Sequence, residues 1–139
     1  MTTIKFKGNK PYKATGGAAG YDLVANEAFE IKAGHQVIVP TGTWLEIPYG
    51  YEGQIRPRSG LAANKMVTVT NAPGTIDSDY RGEIKVILIN LNDRPFTIEK
   101  GERIAQIVFS PVLSVDFEEV EKLDSTDRGQ RGFGSTGVK

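Results

Sequence analysis

The chain has 139 residues, enough for one domain with a hydrophobic core and too few for two. Its 17 basic and 17 acidic residues balance, which argues against a protein that holds duplex nucleic acid on a broad basic face. It has no cysteine and a single histidine, so Cys-ligated zinc, a thiolate nucleophile, multi-histidine metal sites and a Ser-His-Asp triad are excluded. Any bound metal is therefore expected to be a hard ion held by oxygen atoms, such as Mg²⁺.

Short runs rich in Val, Ile, Thr, Tyr and Phe, separated by 16 glycines and 7 prolines, predict an all-β sandwich or barrel. In chain order the predicted strands are Ile4–Phe6, Gln36–Val39, Thr43–Ile47, Tyr51–Arg56, Met66–Thr70, Glu83–Leu91, Phe96–Ile98, Arg103–Phe109 and, more weakly, Ser114–Val120. One short helix is predicted at Ser59–Lys65, with Ser59 as its N-cap. Periodicity alone does not separate a jelly roll from other β-sandwiches.

The composition changes after Val120, because residues 121–139 are polar and glycine-rich, with Leu123 and Val138 as the only aliphatic residues. Such a segment buries too little apolar surface to order itself. We therefore expect a β domain over residues 1–120 and a C-terminal arm over residues 121–139. The arm either stays unstructured or orders on a ligand or a neighbour.

No apolar run approaches the length of a membrane span, and the N-terminus lacks the basic-then-apolar pattern of a signal peptide. The sequence therefore predicts a soluble protein of the cytoplasm that has no membrane partner. A nuclear or viral origin stays open.

The first segment with the chemistry of a site is Arg56–Ala62, in which Pro57 gives an extended entry to the predicted helix. The start of a helix offers unpaired N–H groups that suit a phosphate, and Arg58 adds charged donors beside it. The alternative is a plain helix start next to a surface arginine. This segment alone does not choose between the two interpretations.

The second segment is Asn71–Gly82, a hairpin-like loop that presents one amide, two carboxylates and one aromatic ring. The amide of Asn71 suits a base edge, and the ring of Tyr80 suits the face of a sugar. Either carboxylate, Asp77 or Asp79, can accept a proton from an attacking water. The alternative is a loop whose aspartates cap turns.

The third segment is Arg128–Gly137, of which residues 132–137 match G-x-G-x-x-G. A dinucleotide-binding βαβ unit is excluded because only two residues follow the motif, and no lysine stands in the register of a P-loop. What remains is a strip of backbone N–H groups with two hydroxyls, two arginines and Phe133. It suits wrapping over a polyphosphate while the ring covers a base, and a disordered tail is the alternative.

Four single residues carry weaker signals. Asp22 is a candidate site residue, and the alternative is a residue of a turn. Gln106 lies among Ile, Ala and Val in a predicted strand, and the alternative to a site role is a hydrogen-bonded core amide. His35 indicates a surface turn without a functional role, and Trp44 indicates core or interface packing in a strand.

Taken in this order, the segments resemble the five motifs of the homotrimeric dUTPase family. The five are Ala19–Leu23, Arg56–Ala62, Gly74–Gly82 with the strand that follows, Gly101–Phe109 and Arg128–Gly137, and together they cover about residues 16–137. Five ordered motifs are far more specific than any one alone. The resemblance implies a β jelly roll and a homotrimer whose active sites are shared between chains. It also implies hydrolysis of dUTP to dUMP and pyrophosphate, which limits uracil in DNA and supplies dUMP for dTMP synthesis.

The resemblance also implies a role for each site residue. Asp77 would activate the water that attacks the α-phosphorus. The phosphates would be bound by Arg58, Ser59, Gly60, Gln106, Arg128, Ser135 and Thr136. The base and sugar would be bound by Asn71, Thr75, Ile76, Tyr80, Lys85, Phe133 and Gly134, with Tyr80 against the deoxyribose and Phe133 stacked on the base. Mg²⁺ is the expected cofactor, held by the three phosphates and water without a direct protein ligand, and Asp22 would bond to those waters.

Two rival functions are weighed against this interpretation. The dCTP deaminases resemble dUTPases in fold and in part of their motifs, and they carry a catalytic glutamate on the strand after the third motif. The corresponding position here is about Ile87, and the nearby Glu83 is out of place, which argues against deamination. A non-enzymatic jelly-roll protein that binds a nucleotide or a partner is the second rival. The presence of Asp77, Tyr80 and Arg58 favours the enzyme and leaves only an additional binding role open.

Overall fold

Residues 1–135 and 137–138 are described by this computed structural model, and they form antiparallel β-strands and one helix. The strands are β1 Lys5–Gly8, β2 Tyr21–Val24, β3 Phe29–Ile31, β4 Gln36–Glu46, β5 Tyr51–Arg56, β6 Val67–Val69, β7 Gly74–Ile76, β8 Glu83–Asn90, β9 Phe96–Ile98 and β10 Arg103–Pro111, and the helix α1 is Ser59–Lys65. Two four-stranded sheets have the orders β1-β4-β8-β6 and β2-β10-β5-β7, and β3 pairs with β9. The predicted all-β class with one short helix is confirmed.

Both large sheets contribute side chains to a single hydrophobic core. Along β8 the side chains alternate, so that Val86 and Leu88 are buried while Lys85 is exposed. From the opposite sheet, Leu23 of β2 and Ile107 of β10 enter the same core. Burial of one such aliphatic side chain contributes about 1.5–3 kcal/mol, so this core fixes the two sheets face to face as a β-sandwich.

The two strands predicted at Gln36–Val39 and Thr43–Ile47 are one continuous strand, β4. Its register with β8 shifts between Pro40 and Trp44, and Gly42 at the shift has a φ of 66°. The Gly42 N–H donates to the carboxylate of Glu83, 2.9 Å away, so a β8 side chain holds the irregular backbone. The sequence break at Pro40 marks a bulge in one strand and not the end of it.

Three short strands, β2, β3 and β7, were not predicted. Each has three or four residues and pairs with a neighbour that is far away in the sequence, namely β10, β9 and β5 respectively. Long-range pairing of this kind leaves little local signal in the sequence. Other strand ends differ from the prediction by one or two residues, as strand ends commonly do.

The helix has the predicted bounds, but the prediction that Ser59 is its N-cap is wrong. The capping residue is Arg58, in an extended conformation with φ −87° and ψ 133°, and no side-chain capping hydrogen bond is formed. Ser59 is therefore the first helical residue. Within the described ranges, no helix is long and apolar enough to cross a bilayer.

The strand predicted at Ser114–Val120 is absent from the structure, and that prediction is wrong for a single chain. The Val112 N–H still donates to the Gly50 carbonyl, 2.9 Å away, but the next residues leave the sandwich. Leu113 and Phe117 are 84% and 95% exposed. The alternating pattern of a half-buried strand is present, yet no strand among residues 1–135 and 137–138 pairs with it.

Candidate functional site

Two of the weaker sequence signals lie side by side on the outer face of the second sheet. Asp22 of β2 and Arg56 of β5 both stand opposite Gln106 of β10 in the strand registers. Residues directly opposite one another in antiparallel strands project on the same face of a sheet. The alternative that Asp22 is a turn residue does not hold, because Asp22 lies within β2.

Asp22 holds two arginines, one on each carboxylate oxygen. Its Oδ2 lies 3.2 Å from Nη1 of Arg103, and its Oδ1 lies 3.6 Å from Nε of Arg58. The Arg58 guanidinium also donates to the Arg103 carbonyl at 3.1 Å. The Asp22 side chain is only 13% exposed, whereas those of Arg58 and Arg103 are 31% and 43% exposed. The three groups form a fixed cluster, which we call the phosphate-side cluster, with two positive charges against one negative charge.

Gln106 joins this cluster to the entry of α1. Its Nε2 donates to the Pro57 carbonyl at 3.0 Å, so the amide is held against the residue that precedes Arg58. A Cβ added at Gly20 would lie 3.1 Å from the Gln106 Cδ, so a side chain at position 20 would displace the amide. Ser59 and Gly60 form the first turn of α1 beside it, and both are exposed.

The residues predicted to read the base lie along the edge strand β7 and the loop before it. Asn71, at the start of this loop, is exposed, and its Nδ2 would lie 3.1 Å from a Cβ added at Gly74. Thr75 is exposed and Ile76 is half-buried. The Thr70 N–H donates to the Ile87 carbonyl and so extends the β6–β8 pairing toward the exposed Lys85.

Asp77 and Tyr80 lie on one turn that follows β7. The Tyr80 N–H donates to the Asp77 carbonyl at 3.2 Å, which closes the turn. The Asp77 side chain is exposed beside an open cavity that Glu52 and Val112 also line. A carboxylate in this position is open to water and to a substrate from outside the chain.

The single chain does not bring Asp77 to the phosphate-side cluster. Ile76 pairs with Gly53, so Asp77 lies beside Glu52 near the start of β5, whereas Arg56 ends the strand. Four residues of extended strand span about 13 Å, and Arg58 lies beyond that end. The predicted catalytic and phosphate-binding residues therefore occupy opposite ends of β5.

The described arm residues make local hydrogen bonds and none to the cluster. Phe133 is fully exposed with a φ of 52°, and Gly134 has a φ of 80°. The Arg128 Nε donates to the Arg131 carbonyl at 2.8 Å, so the arm is folded on itself by local bonds. Ser135 is exposed, and Thr136 lies outside the described residues.

Arg103 is the residue of this cluster that sequence reasoning did not single out. It pairs with Asp22, and its guanidinium lies 5.9 Å from the centre of the Tyr12 ring. The available signal was its position at the start of β10, three residues before Gln106 on the same strand. A pair across β2 and β10 becomes visible only when the register of the sheet is known.

The residues of this cluster suit a hydrated cation and not a cation held by the protein alone. Within residues 1–135 and 137–138, no three His, Cys, Asp or Glu side chains are grouped as metal ligands. Asp22, the one carboxylate of the cluster, already faces two guanidinium groups. Such a carboxylate fits a Mg²⁺ ion that is already bound by phosphates and water. The Asp22 oxygens can accept hydrogen bonds from those water molecules.

Sequence comparisons with known proteins agree on one family. The sequence model described as dUTPase matches residues 7–137. The deoxyuridine 5'-triphosphate nucleotidohydrolase of Hydrogenobaculum sp. (strain Y04AAS1) is 58% identical over 93% of this chain and 90% of that protein. The protein of the same name from Rickettsia akari (strain Hartford) is 55% identical over 96% of this chain and 91% of that protein.

Solved structures agree with the sequence relatives. A variant of the Staphylococcus bacteriophage 80alpha dUTPase, solved with dUpNHpp, superposes with a TM-score of 0.91 at 26% identity, over 99% of this chain and 100% of that chain. A second variant of the phage 80alpha dUTPase gives a TM-score of 0.88 at 27% identity, over 96% of this chain and 98% of that one. The predicted jelly roll is confirmed by these neighbours, and the chain belongs to the dUTPase family.

Proposed function

We propose that this chain hydrolyses dUTP to dUMP and pyrophosphate, by attack of an Asp77-activated water on the α-phosphorus. Its curated relatives are named for dUTP hydrolysis, and a structural neighbour was solved with the analogue dUpNHpp. The observation that carries the proposal is the phosphate-side cluster, in which Asp22 holds two guanidinium groups beside Gln106 and the start of α1. Phosphoryl transfer needs such positioning and charge neutralisation more than it needs a covalent nucleophile.

Asp77 is the proposed general base. Its carboxylate is exposed and therefore accessible, and a backbone hydrogen bond closes the turn that carries it. An aspartate there accepts the proton of the attacking water as the new P–O bond forms. The bond from the α-phosphorus to the bridging oxygen then breaks, and pyrophosphate leaves.

The phosphates are assigned to Arg58, Ser59, Gly60 and Gln106 on the sandwich, and to Arg128, Ser135 and Thr136 on the arm. Guanidinium groups donate paired hydrogen bonds that match phosphate oxygens. Asp22 keeps Arg58 in place, and its carboxylate would accept hydrogen bonds from water on a bound Mg²⁺ ion. When bound, Mg²⁺ neutralises negative charge on the three phosphates.

The nucleoside is assigned to the β7 edge and the turn after it. Asn71, with backbone groups of Thr75, Ile76 and Lys85, reads uracil by hydrogen bonds, and Tyr80 packs against the deoxyribose. Phe133 and Gly134 of the arm cover the base. A closely fitting site of this kind rejects both a 2′-hydroxyl and a 5-methyl group.

A homotrimer with shared active sites is part of the proposal, and the separation of these groups supports it. Asp77 and Arg58 lie at opposite ends of β5, so one chain does not place the two side chains next to each other. The exposed apolar residues Leu113 and Phe117 also need a cover, and an open groove of about 460 Å³ beside β1 presents further apolar side chains. A neighbouring chain supplies both the missing part of the site and the apolar partner.

Co-assembly of two inactive variants tests the shared site. We expect Asp77→Asn and Arg58→Gln chains to be inactive alone, and to regain about a quarter of the intact activity when they are co-expressed in equal amounts. The reason is that a site built from two chains takes Asp77 from one and Arg58 from the other. Light scattering should give three times the mass of one chain. A monomer, or a mixture no more active than its parts, contradicts the shared site.

Arg103 carries a second prediction. Arg103→Gln leaves Asp22 with one arginine and removes one positive charge beside the phosphates. We expect about a 10- to 100-fold weaker inhibition by pyrophosphate, because a charge-assisted hydrogen bond contributes about 1.5–3 kcal/mol. Arg103→Lys should restore part of the loss, and dUMP binding should change little. Equal losses for pyrophosphate and dUMP contradict a phosphate-side role.

The division into domain and arm and the cellular role are also part of the proposal. Residues 1–120 form the catalytic domain and residues 121–139 the arm that closes over the nucleotide. The protein acts in the cytoplasm, where it keeps uracil out of DNA and supplies dUMP for dTMP synthesis.

A substrate panel tests the proposed reaction. Purified protein is incubated with Mg²⁺ and separately with dUTP, dTTP, dCTP and UTP, and pyrophosphate, nucleoside monophosphate and ammonia are measured. We expect release from dUTP alone. No release from dUTP contradicts hydrolysis, and ammonia from dCTP indicates the deaminase instead.

A further inference from the structure

The ring of Tyr80 is held by a hydrogen bond and not by burial. Its side chain folds back along the chain, and the hydroxyl donates to the Glu83 carbonyl at 2.8 Å. The residue is 42% exposed, so little packing restrains the ring. Its position therefore depends on the residues directly beneath it, between Tyr80 and Glu83.

Gly82 is the residue that the ring covers. A Cβ added there would lie 2.6 Å from Cζ and 2.9 Å from Cε1 of Tyr80, and it would also overlap the hydroxyl oxygen. Separations below 3.0 Å are not tolerated between such atoms, so the ring must move if position 82 carries a side chain. The φ of Gly82 lies outside the left-handed region, so its backbone accepts other residues. The glycine is needed for space.

Arg81 fixes the backbone on which this arrangement rests. Its Nη1 donates to the Ser78 carbonyl at 2.7 Å and to the Tyr80 carbonyl at 3.2 Å. Its Nε lies 3.9 Å from a carboxylate oxygen of Glu46 on β4. Because the turn is tied to its own carbonyls and to a neighbouring strand, a clash at position 82 is relieved by rotation of the Tyr80 side chain.

We propose that Gly82 is a specificity-determining residue for the sugar, because the space it leaves sets the position of the Tyr80 ring. The inference rests on the proposed function, in which this ring packs against the deoxyribose and excludes a 2′-hydroxyl. An alanine at position 82 breaks the bond between the Tyr80 hydroxyl and Glu83 and moves the ring out of place. The displaced ring no longer closes the space where the 2′-hydroxyl of a ribonucleotide would lie.

The test is the discrimination between dUTP and UTP in the Gly82→Ala variant. We expect the ratio of kcat/KM for dUTP to that for UTP to fall about 10- to 100-fold. The ratio of binding constants for dUMP and UMP should fall in the same direction, which gives a readout even where turnover is slow. An unchanged ratio in both measurements overturns the proposal.

Two variants serve as controls. Gly16→Ala adds a methyl group where no atom lies within 4 Å, so it should leave the ratio unchanged. Tyr80→Phe removes the hydroxyl that holds the ring but keeps the space beneath it, so it should lower the ratio by less than Gly82→Ala does. Equal loss in Tyr80→Phe and Gly82→Ala would assign the effect to the hydroxyl bond and overturn the role of Gly82. If the wild-type protein does not hydrolyse dUTP, the proposed function is wrong. If the wild-type protein prefers dUTP to UTP and Gly82→Ala keeps that preference, only this inference is wrong.

Discussion

Asp77→Asn should reduce turnover of dUTP by about 10²- to 10⁴-fold, the usual effect of removing a general base. Asparagine has nearly the same shape, but it lacks the negative charge and cannot accept the proton. Because Asp77 is exposed and its side chain makes no hydrogen bond or ion pair within the described residues, the variant should keep its fold. Initial rates with dUTP, together with equilibrium binding of dUpNHpp, separate the loss of chemistry from a loss of binding.

Asp79→Asn is the matched control for this experiment. Asp79 is exposed on the same turn, two residues after Asp77, and its substitution changes the net charge by the same amount. We expect it to keep nearly full turnover, since only Asp77 is assigned to the water. Normal turnover by Asp77→Asn, or an equal loss in both variants, contradicts the assignment of the base.

Removal of residues 128–139 should leave a folded protein that is nearly inactive. The arm lies outside the sandwich, and its hydrogen bonds in this chain, such as that from Arg128 to the Arg131 carbonyl, are local. Its loss therefore costs little stability. The proposed site would however lose Arg128, the hydroxyl groups and the ring of Phe133, which close over the nucleotide and exclude water.

The truncation is checked by turnover, by the midpoint of thermal unfolding and by the mass in solution. A shorter truncation of residues 138–139 is the control, because it keeps the whole glycine-rich segment that ends at Gly137. We expect the control to remain active. Hydrolysis of dUTP at the intact rate by the longer truncation contradicts a role for the arm, and a lowered unfolding midpoint would assign the loss to the fold.

Much of the fold is visible in the sequence, where local signals are strong. The helix Ser59–Lys65 and the strand Phe96–Ile98 have the predicted bounds. The bulge at Gly42 was interpreted as a gap, because proline and glycine mark both a turn and an irregular strand. The three-residue strands β3 and β7 exist because of partners elsewhere in the chain, which no local pattern reports.

The segment Ser114–Val120 shows the opposite error. Its alternating apolar residues have the pattern of a strand, yet in one chain they lie in solvent, with Phe117 95% exposed. An alternating pattern predicts a strand that pairs with another strand, but it does not indicate whether that other strand belongs to the same chain. In the proposed trimer a neighbouring chain is that partner.

The residue types of the candidate site were predicted from the motifs, and their roles stay predictions. Structure adds the connections between them, which depend on the register of the sheets. Asp22, Arg103 and Arg58 become one cluster because β2 pairs with β10, and Gly82 acquires a role because the Tyr80 ring folds over it. These contacts depend on how the strands pair and on how one turn folds, so the periodicity of the sequence does not predict them.

Hydrolysis of dUTP in ¹⁸O-labelled water tests the central claim most directly. The products are separated and the label is located by mass spectrometry, with Mg²⁺ present throughout. Attack of water on the α-phosphorus predicts dUMP that carries one ¹⁸O atom and pyrophosphate that carries none. Label in the pyrophosphate, or no formation of dUMP, would contradict the account.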